Sequence, residues 1–248
     1  MRTVPLIGMT PTQREGWEVL LDIAVDFPTG WCLVGGQMVW LHALEHGINP
    51  PRATEDVDVV VDVRADRAGI RRVCAWLTAR NFALEGINAE GIGHRYLRAA
   101  SPGPGRVLFD VLAPDNLGQR VDLTTTAPAR TLSAPGSRAA LNHAERVEVV
   151  LGGRAGHVLR PVLLAAILAK TAATTIPARA IPERDWTDSA FLLSLVSDPI
   201  AAAAELTGAE RRRLRRIDAL LDETHSAWRP LGARGRLGHA ALQFLLEP

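Results

Sequence analysis

The chain has 248 residues, 47% of them hydrophobic and 22% charged, and carries a formal net charge of +1 at pH 7. These values exclude a disordered or fibrous chain and leave room for one large domain or two small ones around a substantial core. With the charge balanced overall, a nucleic-acid surface has to come from local clustering of arginine, not from a global basic excess.

Apolar positions Trp17, Leu20, Leu21 and Ala24 fall at helical spacing and predict a first helix over residues 12–26, closed by Pro28 and Gly30. A short apolar strand, residues 31–34, runs into the Gly35–Gly36 turn. A helix over 37–46 follows, with Met38, Leu41 and Leu44 inward and Gly47 as its C-cap. The Asn49-Pro50-Pro51 segment breaks structure before a strand over 56–63 that opens with Asp56, Val57 and Asp58. In an extended strand side chains alternate, so Asp56 and Asp58 share one face while Val57 points into the core. Two ionised carboxylates so close repel one another, and a site that holds both calls for divalent cations between them. The glycine pair leaves backbone N–H groups unobstructed at the positive end of a helix, where a phosphate can sit.

A helix is expected over 66–80, with Arg67, Arg71 and Arg72 on a solvated face. Extended pieces over 82–84, 94–98 and 107–112 follow, the last two separated by the turn-forming Ser101-Pro102-Gly103-Pro104-Gly105. Asp110 lies in the middle of the third. A lone acidic residue in an apolar strand is costly unless it faces a cleft, a partner or a metal, although a strand-end carboxylate would explain it too. Asp122, on a shorter and more polar stretch, is the competing candidate for a third carboxylate. A short helix over 137–145 and a hairpin, 147–151 with 157–159, around Gly152-Gly153-Arg154 complete the strand-bearing part.

From Pro161 onward every periodic segment is helical: 162–174, 185–196, 199–206, 209–227 and 237–245. A boundary near residue 160 is therefore expected between an α/β domain, 1–160, and an all-helical domain, 161–248. Lys170, the only lysine, ends the first of these helices, where it could simply complement the helix dipole or snorkel from an apolar stripe. Arg211-Arg212-Arg213-Leu214-Arg215-Arg216 reads either as a solvated face or as an RNA-backbone footprint. His42 and His46, at i and i+4, lack a third ligand and read as helix-surface residues. The two cysteines, Cys32 and Cys74, sit in apolar contexts and read as buried free thiols. The N-terminal apolar run is too short for a signal peptide and no apolar run is long enough to span a bilayer, so a soluble, cytoplasmic protein without a membrane partner is expected.

The glycine pair, a helix and two aspartates on a strand resemble the nucleotidyltransferase superfamily with the DNA polymerase β-type fold. More narrowly, Gly35–Gly36, the Arg52/Thr54 lead-in and Asp56-Val57-Asp58 look like the AbiEii/MenT group of toxin nucleotidyltransferases, and the likeness extends to about Leu195. The resemblance implies an α+β fold: a mixed sheet flanked by helices, then a helical C-terminal domain. It also implies transfer of NMP from an NTP to an RNA acceptor, with the tRNA 3′ end the expected target and a cognate antitoxin the expected partner. Asp56, Asp58 and Asp110 would hold two Mg²⁺ ions, with Asp110 able to receive the acceptor's proton. Gly35, Gly36, Thr54, Lys170, Arg184, Asp185 and Asp188 would bind the nucleotide. Gln37, where a small residue is more usual, and Pro50-Pro51, which lengthens the link to Asp56, depart from the pattern. Two other readings stay open: a small-molecule nucleotidyltransferase resembling aminoglycoside adenylyltransferases, and a non-catalytic module that binds a nucleotide or a protein.

Overall fold

A computed structural model describes residues 3–50, 52–101, 103–174 and 183–247. Pro51, Pro102 and most of the Pro-containing loop expected between Lys170 and Arg184 lie outside the described residues. The fold is α+β, and the chain divides into two compact units, 1–38 with 54–161 and 39–53 with 162–248. Val39–Ala53, inside the 1–160 domain expected from the sequence, groups with the helical unit.

In the first unit, strand β1 (Val4–Pro5) leads to helix α1 (Pro11–Asp26), strand β2 (Trp31–Val34) and the start of helix α2 (Gly35–Glu45). Strand β3 (Val57–Val61), helix α3 (Gly69–Thr78) and strands β4 (Ala83–Leu84), β5 (Arg95–Ala99), β6 (Arg106–Pro114) and β7 (Ser133–Ala134) follow. Helix α4 (Ser137–Asn142) and the hairpin β8 (Ala144–Leu151) and β9 (Arg154–Pro161) close the unit. The main sheet has the order β2-β3-β6-β5-β4, with β7 on the end of β6. It is mixed: β3 and β6 run parallel, and β2, β5 and β4 join antiparallel to their neighbours. A smaller sheet of order β1-β8-β9 packs against β2 and α1.

Central position explains the composition of β3 and β6. Val57, Val59 and Val61 of β3 and Val107, Phe109 and Val111 of β6 are all buried and share one face of the sheet. Helix α1 meets that face where Gly16 approaches Val57 and Val107, and α3 meets it where Gly69 approaches Val61. Residues of opposite parity on the same strands, Asp58 and Asp110 among them, therefore project from the other face. Thr10 caps α1 by accepting from the Gln13 N–H at 3.1 Å, and Pro11 starts the helix, where a missing N–H costs nothing.

The helical unit contains α5 (Leu163–Ala173), α6 (Glu183–Leu193), α7 (Pro199–Glu205), α8 (Gly208–Leu214) and α9 (Ala233–Leu246). Two 3-10 segments, Arg215–Leu221 and Ser226–Leu231, separate α8 from α9. The sequence reads 209–227 as one helix; the structure breaks it at Ile217, whose φ of −111° and ψ of 25° are not helical. At Gly238, α9 crosses α6 so closely that a Cβ would lie 3.0 Å from the Ser194 nitrogen and 3.1 Å from the Ala190 carbonyl oxygen. Arg211 donates to the carbonyls of Ala203, Leu245 and Glu247, so one arginine of the expected RNA footprint ties the end of α9 to α7 and α8. Arg212, Arg215 and Arg216 are exposed. No described helix is long and apolar enough to cross a membrane.

Both cysteines are buried and free. Burial pushes the Cys74 thiol up to about 12 and the Cys32 thiol higher still, so neither is a thiolate at neutral pH. A disulfide-exchange reagent is therefore expected to titrate neither thiol in the folded protein at pH 7.5 and both after unfolding in guanidinium chloride. A fast-reacting thiol in the native protein would contradict this packing.

Candidate active site

The sheet register assembles a row of functional side chains across four strands. Val34 of β2 pairs with Asp58 of β3, Asp58 with Asp110 of β6, and Asp110 with Arg95 of β5. Residues directly opposite on neighbouring strands share a face at a strand spacing of about 4.8 Å, so Asp58, Asp110 and Arg95 project side by side. Asp56 lies one residue before β3 begins, not within the strand as its spacing suggests. It nonetheless converges on the row, because Nη2 of Arg95 is 2.8 Å from Asp110 Oδ2 and 3.6 Å from Asp56 Oδ2.

Arg95 grips Asp110 with both arms of its fork, Nε to Oδ1 and Nη2 to Oδ2, each at 2.8 Å. Asp110 is only 5% exposed, and a buried carboxylate requires such a partner. The hydrogen bonds to Asp110 raise the guanidinium's pKa beyond its already high ordinary value, and the charges of Asp110 and Asp56 add to this. At neighbouring His94, burial outweighs the attraction of Asp110 and lowers the imidazole's pKa. Asp122, the rival third carboxylate, lies between β6 and β7, outside the strands of this pairing. It accepts from the Thr124 N–H at 2.9 Å and pairs with Arg71 of α3 at 3.2 Å.

The glycine pair forms the first turn of α2, not a separate turn before it. Gly35 has a φ of +65°, and a Cβ there would lie 1.8 Å from Asp58 Oδ2. The carboxylate thus occupies the space a side chain would fill, beside the first turn of a helix whose unpaired N–H groups and dipole favour negative charge. Gly36 is buried in the same turn. Gln37, read from sequence as a departure, proves to be a fully buried junction. Its Oε1 accepts from Trp17 Nε1 at 2.9 Å and from Gln13 Nε2 at 3.1 Å, while its Nε2 donates to the Thr54 carbonyl at 2.9 Å. Thr10 adds a bond to Glu55 at 2.9 Å. Helices α1 and α2 thereby hold the segment that delivers Asp56 and Asp58.

Lys170, Asp185 and Asp188 lie in the helical unit, together with Arg52. Lys170 Nζ is 2.8 Å from Asp188 Oδ2 and 3.6 Å from Asp185 Oδ1. Arg52 reaches the same Asp188 with Nε at 3.0 Å and Nη2 at 2.9 Å. Burial alone would raise the Asp188 pKa, but the charges and hydrogen bonds of Lys170 and Arg52 prevail and hold it below the usual 3.8. Lysine and both aspartates are 5% exposed or less, so this cluster is a buried ion network joining α5, α6 and the segment before Thr54. Arg184 is exposed on α6. His42 is buried, not a helix-surface residue as expected, and its carbonyl accepts from His46 Nδ1 at 2.8 Å.

Among the described residues, no three His, Cys, Asp or Glu side chains are gathered as a ready-made metal site. The donors nevertheless suit a hard divalent ion: they are carboxylate oxygens only, and those of Asp56 and Asp110 already share a cation, the Arg95 guanidinium.

No protein-family model and no curated protein matches the chain. Two solved structures are similar over nearly its whole length. One is the antibiotic-resistance factor ANT(2'')-Ia, at 14% identity and a TM-score of 0.36, with 95% of this chain and 93% of that chain covered. The other is a candidate nucleotidyltransferase from H. pylori, at 11% identity and a TM-score of 0.44, with 97% and 96% covered. Both likenesses are distant.

Two outcomes are expected from this geometry. Gly35→Ala and Gly47→Ala alter glycines of the same φ, +65°, but only the first puts a methyl group into a neighbour, since nothing lies within 4 Å of a Cβ at Gly47. In chemical denaturation Gly47→Ala should cost about 1–2 kcal/mol for its left-handed backbone, and Gly35→Ala clearly more; equal losses would count against the Asp58 contact. Asp188→Asn removes the nearest counter-charge of Lys170 and Arg52 and is expected to cost about 3–5 kcal/mol at neutral pH. Since the folded carboxyl titrates below its unfolded value, its contribution is complete above about pH 4 and fades as pH falls through the folded pKa. The variant's stability should accordingly vary less than the wild type's below pH 4, measured by denaturation at stepped pH.

Proposed function

We propose that the protein is a divalent-metal-dependent nucleotidyltransferase that moves NMP from an NTP to an RNA acceptor. The observation that carries this reading is the cross-strand pairing of Asp58 with Asp110, with Asp56 drawn to the same guanidinium and Asp58 seated against Gly35. Asp56, Asp58 and Asp110 would hold the Mg²⁺ ions, which when bound neutralise triphosphate charge and polarise the acceptor hydroxyl. The acceptor hydroxyl gives up its proton, to Asp110 on the resemblance, as its oxygen forms a bond to the α-phosphorus; the bond to the bridging oxygen breaks, and pyrophosphate leaves with that electron pair. Gly35 and Gly36 are assigned to the nucleotide on the resemblance, and Thr54, held through its carbonyl by Gln37, fixes the approach of Asp56.

The finer assignment follows the family resemblance carried by Gly35–Gly36, Arg52/Thr54 and Asp56-Val57-Asp58. In it the acceptor is the tRNA 3′ end, and the protein is the toxin of a toxin–antitoxin pair with a cognate antitoxin. The exposed Arg212, Arg215 and Arg216 support a polyanionic acceptor over a cationic small molecule. Arg184 is assigned to the nucleotide on the resemblance, while Lys170, Asp185 and Asp188 contribute by holding Arg52 in place.

With Mg²⁺, labelled NTPs and total tRNA, the purified protein is expected to label tRNA at its 3′ end. Asp58→Ala should lower the rate at least ~10³-fold. Labelling confined to a small hydroxylated amine would replace the RNA acceptor with a small-molecule one. No NTP turnover with any acceptor would leave a binding module.

A further inference from the structure

A guanidinium stands where the proposed reaction needs a metal ion. Arg95 takes both oxygens of Asp110 at 2.8 Å, and the same Nη2 lies 3.6 Å from Asp56. The Asp110 side chain is 7% exposed, so its charge cannot be left to solvent and must always be met by a cation. Arg95 itself is 36% exposed, and so has open space into which to withdraw. A Mg²⁺ ion binds carboxylate oxygen at about 2.1 Å. With a guanidinium nitrogen 2.8 Å from that same oxygen, two like charges would share one acceptor at close range.

Resting on the nucleotidyltransferase reading, we propose that Arg95 is the site's resident counter-cation: its fork on Asp110 and a divalent ion bound by Asp110 exclude one another. Arg95 holds the Asp110 carboxylate in place through its two-armed hydrogen bonds while no metal is bound, and it releases the carboxylate when the ion enters. Metal affinity is thereby set below what three carboxylates would give alone. Arg95 is a positioning residue in the metal-free protein and a competitor of the metal, not one of its ligands.

The test uses the full chain without nucleotide. Mn²⁺ binding is measured by electron paramagnetic resonance for wild type, Arg95→Met and Arg95→Lys. Arg95→Met should bind Mn²⁺ at least ~10-fold more tightly, since a +1 charge is removed from the carboxylates. Arg95→Lys keeps the charge but loses the fork, and should fall between the other two. Mg²⁺ titration of wild type, followed by the Arg95 Nε–H signal in ¹⁵N NMR, should shift that signal with the same midpoint as metal binding. This readout needs no variant to fold. A signal that stays unchanged while Mg²⁺ binds would overturn the exclusion even if Arg95→Met binds more tightly. Equal or weaker Mn²⁺ binding by folded Arg95→Met would overturn it as well, with the nucleotidyltransferase reading left standing if wild type still labels tRNA. Absence of divalent-ion binding in all three proteins, together with no labelling, would remove both.

Discussion

Acidic side chains brought to neighbouring positions, two of them on one guanidinium, are the constraint around which the first unit is built. Asp58 and Asp110 are forced together by strand register, and Asp56 arrives from the preceding segment. Such crowding is tolerable only with a cation among them, and the chain provides one from the antiparallel neighbour, β5. The parallel pairing of β3 with β6 sets the separation of the acids, and the antiparallel pairing of β5 with β6 brings the arginine opposite. Packing of α1 and α3 on the Val57, Val59 and Val61 face leaves the polar row on the other. Sheet topology here acts as an electrostatic device.

A second set of interactions governs how accurately the acids are delivered. Gln37 engages two residues of α1 and the carbonyl of Thr54, so the loop ahead of Asp56 is tied to both helices by one buried amide. A small residue at this position could make none of these bonds. In the helical unit Asp188 plays an equivalent part, gathering Arg52 and Lys170 at a place where neither cation could be buried alone.

Much of this was legible in the sequence where a local signal existed. Continuous apolar runs marked β2 and β6, the Gly152–Gly153 turn marked the β8–β9 hairpin, and the alternation around Asp58 marked an acid facing away from the core. The two-residue strands β1 and β7 carry no periodicity and could not be read. Helix 209–227 was too long because helical spacing does not reveal the break at Ile217. Arg95 went unnoticed for a different reason: an arginine in a short strand looks like an ordinary surface residue until register places it opposite Asp110. The pairing of Arg52 with Asp188 joins residues 136 apart in sequence, a separation at which spacing carries no information. Lys170 stands out in the sequence as the only lysine, but spacing does not show that Asp185 and Asp188 are its counter-ions.

The path of the chain between the two units has a consequence for how the molecule can be divided. Residues 39–53 leave the sheet-bearing unit, take part in the helical one, and return before Thr54. The helical portion is thus assembled from two separate stretches, with the first of them nested inside the other unit's sequence. A single cut at Pro161 would free no self-sufficient half: the N-terminal fragment would carry the apolar Val39, Trp40 and Leu41 without the helices that share their unit. Any rearrangement of this architecture, by recombination or by design, has to move three chain crossings together.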